Sequence, residues 1–408
     1  MKTPQVAVYY FPNYHVDPRN ERVHGPGWTE WELVKQAKPR FPGHRQPRLP
    51  EDGFSDEADP AVMAAKIDLA ASHAIDAFIF DWYWYNDGPF LQRALDEGFL
   101  NAPNNHRLKF ALMWANHDWI DIHPARRTRS LLDAAPLLYP GAVTAETFER
   151  LTDHCIRSCF THPSYWLHDG CPYFSIYALD RLIAGLGGRA NTRRLLARFR
   201  TKVRDAGFPD LHLNAIVYTN AILPGESAAL DTAAEVAALG FDSVTSYVWI
   251  HHYEGGEGDF PEVDYRVVCD AWFDYWGKIE KRCPLPYYPN VTMGWDSSPR
   301  TVQSDVFGNL GYPFMYSIKN NTPAHFRDAL QAVKTALASR PLPCPFFTIN
   351  AWNEWTEGSY LEPDRLNGLG YLEAIRDVFG QDRINREAPA SPSCNGHHAR
   401  HPEPEFVP

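Results

Sequence analysis

Two glutamates three residues apart, Glu354 and Glu357, stand between Trp352, Trp355 and Gly358, directly after the apolar run Pro345 to Ile349. If the chain turns into a helical loop there, positions i and i+3 share a face with Cβ atoms roughly 5–6 Å apart, so both acids can address one ligand. Breaking a glycosidic bond needs a proton donor for the leaving oxygen and a second carboxylate as base or nucleophile. Indoles crowded around one acid would desolvate it, raise its pKa and keep it protonated at neutral pH. The plainer alternative is a pair of surface glutamates at a helix start, where glutamate is favoured anyway.

The acids must be positioned by something, and the chain supplies a repeating pattern. β-rich segments run from Val6 to Phe11, Ala77 to Tyr83, Lys109 to Ala115, Tyr173 to Tyr177, His212 to Tyr218, Ser243 to Val248, Tyr287 to Met293 and Phe346 to Ala351. Between and after them lie helical patterns at Pro60 to His73, Phe90 to Leu100, Ala145 to Cys159, Thr192 to Ala206, Ala228 to Leu239, Val263 to Ile279, Pro323 to Ala338 and Leu369 to Phe379. Apolar strands alternating with helices read as a parallel sheet buried on both faces. Eight such units predict a single (β/α)8 TIM barrel over residues 1–380. An open doubly wound sheet would carry a Gly-rich phosphate turn after its first strand, where this chain has Pro12-Asn13-Tyr14-His15. Segments 14–56 and 116–143 are long βα loops, expected on the catalytic face. Residues 381–408 lack apolar periodicity and are expected as a mobile tail.

Barrel chemistry sits at the carboxyl ends of the strands. Those ends carry Tyr10, Asp81, Trp82, Trp84, Trp114, Asn116, His117, Tyr177, Tyr218, Tyr247, Trp295, Asp296, Asn350 and Trp352, besides the two glutamates. Aromatic faces that pack on sugar C–H groups, mixed with carboxylates and amides for hydroxyls, suit a carbohydrate, although aromatic strand ends also simply cap barrel cores. Asp81 reads equally as a hydroxyl acceptor or as a buried acid bonded to a neighbouring strand. Asp296 is similar, with Arg300 as a candidate ion-pair partner. His117 and Asp118 could form an acid/base pair, but a loop histidine is more often structural. A metal at His251-His252 would need carboxylates that the sequence does not place.

Composition narrows the field. Aromatics reach 14% of 408 residues, and the formal charge of −11 argues against nucleic acid, which is held by clustered Lys and Arg. No apolar stretch is long enough for a membrane span or a signal-peptide core, so a cytoplasmic protein is expected. The seven cysteines include no C-x-x-C pair and read as free thiols. Cys155 and Cys159, next to His154, fit buried positions on a helix better than a metal site. The chain has no D-x-D, P-loop, H-E-x-x-H or G-x-S-x-G motif. No cofactor and no metal is expected, and the oligomeric state is left open.

Several long motifs resemble the WbsX-like proteins, relatives of glycoside hydrolase family 99, the endo-α-mannosidases and endo-α-mannanases. They are G-W-T-E-W-E-L-V-K-Q-A-K-P-R-F-P-G-H-R-Q-P-R-L-P (27–50), I-D-A-F-I-F-D-W-Y-W (75–84), M-W-A-N (113–116), G-W-D-S-S-P-R (294–300) and I-N-A-W-N-E-W-T-E-G-S-Y-L-E-P-D (349–364). The resemblance spans about residues 5 to 379. It implies a (β/α)8 barrel and metal-free, retaining hydrolysis of α-mannosidic linkages, and the activity expected of this chain is retaining hydrolysis of α-linked mannose- or rhamnose-type glycans or polysaccharide with a free 2-hydroxyl. The family-99 motif N-E-W-H-E-G is similar to Asn353-Glu354-Trp355-Thr356-Glu357-Gly358, which places Asn353 in the site. By that resemblance Glu354 takes the proton of the sugar 2-hydroxyl, so that its oxygen attacks the anomeric carbon and forms a 1,2-anhydro sugar. Glu357 protonates the leaving group and later activates water. Thr356 stands where family 99 has histidine, and His117-Asp118-Trp119 where WbsX-like proteins have E-N-W, departures that bear on sugar specificity. WbsX-like proteins are also named as glycosyltransferases of polysaccharide assembly. A transferase or transglycosylase, and a non-catalytic carbohydrate-binding barrel, are therefore the alternatives.

Overall fold

Strand β1, Gln5–Tyr10, is buried along almost its whole length and pairs in parallel with strands from both ends of the chain. In this computed structural model, which describes residues 3–127, 136–222, 226, 232–340, 342 and 344–387, β1 is one stave of a barrel. The others are β2 (Ala77–Tyr85), β3 (Lys109–Trp114), β4 (Cys171–Ile176), β5 (His212–Ile216), β6 (Ser243–Thr245), β7 (Tyr287–Tyr288), β8 (Asn290–Thr292) and β9 (Phe346–Asn350). Their order around the sheet is β7-β6-β5-β4-β3-β2-β1-β9-β8.

β7 and β8 are two halves of the expected seventh strand. Pro289 divides them, because it has no N–H to give to the ladder. The first half pairs with β6 through Val244 and Tyr287, the second with β9 through Asn290 and Thr348, so this one stave closes the circuit. The Pro289 carbonyl still accepts from the Thr348 N–H at 2.9 Å.

The covering helices are α1 (Pro60–Ser72), α2 (Ala145–His154), α3 (Arg189–Asp205), α4 (Thr232–Leu239), α5 (Tyr265–Arg282), α6 (Pro323–Ala338) and α7 (Gly370–Glu387). Four start where the sequence offers a cap: the Asp59, Thr144, Asp264 and Thr322 side chains accept from N–H groups of the first turns. Two expectations are corrected. The helix expected over Phe90 to Leu100 is one wide turn, Ala94–Phe99, because Gly88–Phe90 pairs back on Tyr83–Tyr85 as a short strand. The last helix runs to Glu387, past the tail boundary expected at 381, held by Arg386 on the Pro4 carbonyl (2.7 Å) and on Asp76 (2.6 Å). The rest of the tail, 388–408 with Cys394, lies outside the described residues. Cys155 and Cys159 are buried side by side in the core. Among the described residues no helix is long and apolar enough to cross a membrane.

Candidate functional site

Side chains alternate across a strand, and in a barrel that parity separates the mouth from the helix layer. On β2, Asp81 and Tyr83 line a cleft at the carboxyl ends of the strands that encloses about 710 Å³, part of it open to solvent. Met113, Ala115, Tyr177, Tyr247 and Phe11 join them from β3, β4, β6 and β1. Trp119, Ile122 and His123 of the long third loop close one side, and Trp295, Arg300 and Tyr312 close the other. Glu354 and Glu357 also line this cleft, so the expected pair does share one ligand space.

The intervening residues face the other way, which corrects several expected contacts. Trp82 donates its indole N–H to Gln92 (2.5 Å) and stacks on His154, against which Trp84 also packs. Trp114 packs on Phe148 and donates to the Trp84 carbonyl (3.2 Å). Tyr10 donates to Glu57 at 2.9 Å on the helix side of β1. Asn116 clamps the Ala178 backbone with both ends of its amide, and Asn353 does the same to Phe11. These amides shape loops, and neither lines the cleft. Asp296 accepts from His44 (2.9 Å), Gln46 (2.7 Å) and the Ser298 N–H (3.1 Å), and these hydrogen bonds overcome burial to hold its carboxyl well below the usual range. Asp296 pins the first long loop, and its expected partner Arg300 lies elsewhere. Tyr218 stacks behind Tyr177 rather than lining the cleft.

The tryptophans of the opening motif are the largest correction. Trp352 and Trp355 both donate to Glu362, at 3.0 and 2.7 Å, and Trp355 stacks on Tyr360 with ring centroids 3.7 Å apart. They scaffold the loop on its far side and neither carry the sugar nor surround either catalytic candidate. His117 lines the cleft, but its Nδ1 meets the backbone carbonyl of Asp118 (3.0 Å), while the Asp118 side chain binds the Gly141 N–H (2.8 Å) and Arg181 (3.1 Å). The two are not an acid/base pair. No group of three or more His, Cys, Asp or Glu suited to a metal occurs among the described residues, His251 and His252 included.

Glu354 ends a short strand and Glu357 ends the tight turn Trp355–Glu357. Gly358 then takes a left-handed φ of 64°, with the Asp296 backbone nitrogen 2.9 Å from where a Cβ would stand, so only glycine lets the turn close on that loop. Arg300 lies between the acids. Its Nη1 donates to Glu357 Oε1 and its Nη2 is 3.6 Å from Glu354 Oε1. Its far edge meets Glu30 at 2.9 Å and Thr356 at 2.9 Å. Tyr312 adds a hydrogen bond to Glu357 Oε1 at 2.7 Å. Burial alone would push Glu30 up, but Arg300, with His123 and the Thr356 hydroxyl, brings it below its ordinary value. Thr356 is thus a structural hydroxyl fastening Glu30 of the first loop to the eighth, not a sugar contact.

Across the cleft, Tyr247 donates toward Asp81 Oδ2 (2.8 Å) and Glu354 Oε2 (2.9 Å). One phenol has one hydrogen, so two ionised carboxylates could not both be served. One carboxyl must carry its own proton and donate back. Burial pushes both pKa values well up, that of Glu354 further through the charge of Glu357. Asp81 Oδ1 is buried without a partner among the described residues, and Asn350 sits under Glu354 at 3.5 Å. Sequence reading missed Glu30 and Tyr312, which are brought in by loops with no regular spacing, and saw Arg300 with the wrong partner.

A (β/α)8 barrel with an acidic cluster in the mouth of its strands is the class that fold and site define. The chain belongs to the family described as Glycosyltransferase WbsX, whose model matches residues 6–375. It is 29% identical over 381 residues to the uncharacterized protein WxcX of Xanthomonas campestris pv. campestris, a match covering 92% of this chain and 49% of that protein. The chain therefore spans about half the length of the curated relatives it matches. In fold it is similar to the GH99 endo-alpha-mannosidase of Bacteroides thetaiotaomicron, with 13% identity, 95% and 99% of the two chains covered and a TM-score of 0.56. It is likewise similar to a glycoside hydrolase-like protein, with 16% identity, 93% and 94% covered and a TM-score of 0.60.

Proposed function

We propose that the chain is a retaining glycoside hydrolase acting on α-linked mannose- or rhamnose-type glycans, with Glu354 and Glu357 as its catalytic pair. The observation that carries this reading is the convergence of Glu354, Glu357 and Asp81 on one aromatic-walled cleft, each acid with a different set of partners. If Asp81 keeps the shared proton and donates it to the Tyr247 oxygen, Tyr247 donates to Glu354, which stays anionic beside the place of a 2-hydroxyl. Glu354 takes the 2-hydroxyl proton, the oxygen bonds to the anomeric carbon, and the bond to the leaving oxygen breaks as Glu357 protonates it. Both donors to Glu357 among the described residues engage Oε1, leaving Oε2 for that proton, which substrate binding must move there from Glu354, the acid that burial and the charge of Glu357 favour protonating in the free protein. Water then gives its proton to Glu357 and opens the 1,2-anhydro ring, whose oxygen recovers the proton from Glu354.

Proton NMR of the first-formed anomer from an α-mannoside or α-rhamnoside tests the reading. An α product is expected, and a β product or no hydrolysis would overturn it. The family description favours a second reading, transfer from a nucleotide sugar. Among the described residues lining the cleft Arg300 is the only Lys or Arg, and it is already faced by Glu30, Glu354 and Glu357, an unfavourable place for a diphosphate. Calorimetry with nucleotide sugars separates the two, heat of binding supporting transfer.

Tyr247 gives a pH-dependent result. With its one proton on Glu354, Tyr247 lowers the pKa of that acid against the larger upward push of burial. Tyr247→Phe removes that relief, so Glu354 becomes an available base only at higher pH. The acid limb of the kcat/KM profile is expected to move upward in pH; an unmoved limb would show that Glu354 is not the group titrating there.

A further inference from the structure

A second cavity opens on the same face, enclosing about 1330 Å³ of space, part of it solvent. It lies between segment 45–49 of the first loop, the start of α6 and the stretch from Tyr360 to Tyr371 that leads into α7. Three arginines line it: Arg45, Arg48 and Arg365. Among the described residues none of them makes an ion pair. Arg48 lies beside the Tyr360 hydroxyl. The carboxylate on the wall, Asp364, is committed to Tyr360 (2.7 Å), the Leu366 N–H (3.0 Å) and the side chain and backbone of Asn367. Asp296, the carboxylate whose charge acts on Arg48, also accepts hydrogen bonds from His44, Gln46 and Ser298.

Three guanidinium groups without a direct ion pair share one concavity with a single lining carboxylate, Asp364, and with Asp296 acting on Arg48, which leaves the site net positive on a chain of net charge −11. α6 opens onto the cavity at Thr322, and its N-terminal dipole adds to that field, although the Thr322 hydroxyl already caps the His325 N–H. One wall, with Arg45 and Arg48, belongs to the first loop, and the others belong to the loops after the seventh and eighth staves, a region where barrels commonly hold phosphate. Arginine's planar fork matches phosphate and carboxylate geometry.

We propose that this cavity binds an oxyanion, phosphate or carboxylate, carried by a sugar. The charges of the two cavities are complementary: the catalytic cleft has one arginine facing three carboxylates, whereas this site has three arginines and carboxylates that are otherwise engaged.

The test is calorimetry on the full chain at low ionic strength with inorganic phosphate, glucose 1-phosphate, glucuronate and, as a neutral control, glucose. The anions are expected to bind, more weakly as salt is added. The R45Q R365Q double variant, which alters two exposed side chains, is expected to lose about tenfold or more in affinity. An unchanged melting temperature of that variant, and unchanged hydrolysis of an uncharged glycoside, keep the result separate from folding and from the catalytic reading. Tighter binding of glucose 1-phosphate points to a phosphorylated sugar, and tighter binding of glucuronate to a uronate. Absence of anion binding, or equal affinity in the double variant, would overturn the proposal.

Discussion

Glu357→Gln is expected to lower kcat on an unactivated α-glycoside by about 10²–10⁴-fold, the usual contribution of a positioned general acid. Glutamine keeps an oxygen for Tyr312 and Arg300 but has no proton to give the leaving group. Arg300 retains Glu30 at 2.9 Å and Glu354 at 3.6 Å, so the fold should survive. An aryl glycoside with a good leaving group needs little protonation in the first step, so the variant should lose far less in kcat/KM on it, although the second step still lacks its base. Glu354→Gln, which removes the base acting on the 2-hydroxyl, should be slow on both substrates. Steady-state kinetics on the two substrates therefore separates the roles. Near-normal turnover of the unactivated glycoside by Glu357→Gln would sink the assignment.

The barrel was legible because its strands are short apolar runs separated by helical patterns, and the mouth was legible because strand ends can be counted. The inward-facing set was not. A strand buried on both faces has no polar alternation, and F-I-F-D-W-Y-W gives no clue that Asp81 and Tyr83 face the cleft while Trp82 and Trp84 face the helices. A one-residue error of phase moves every side chain to the other face. The tryptophans beside Glu354 and Glu357 misled for the same reason, since closeness in sequence placed them near the acids while the turn sent them toward Glu362. Glu30 and Tyr312 reach the site across separations of 326 and 45 residues, which no local pattern encodes. What spacing did convey was the i, i+3 relation of the glutamates, because a single tight turn enforces it.

Arg300→Met should be the most destabilising single change at the site, about 3–5 kcal/mol, because it strips the counter-charge from a fully buried Glu30 and leaves Glu357 with Tyr312 alone. That is a large share of the roughly 5–15 kcal/mol that holds a typical domain folded, so the denaturation midpoint should fall sharply. The loss comes from stranded charge, not from a missing attraction, and this has a checkable consequence. Adding Glu30→Gln to Arg300→Met removes one stranded carboxylate and keeps an acceptor for Asn13, while the Thr356 hydroxyl, no longer bonded by Arg300, can turn to accept from the new amide N–H, so the double variant should be more stable than Arg300→Met by on the order of 1–3 kcal/mol. Chemical denaturation of the three proteins measures both differences. A single variant as stable as the parent would mean that Arg300 does not hold the first loop to the seventh and eighth. A double variant with no recovery would locate the damage at Glu357 instead, tying stability to the catalytic carboxylate itself.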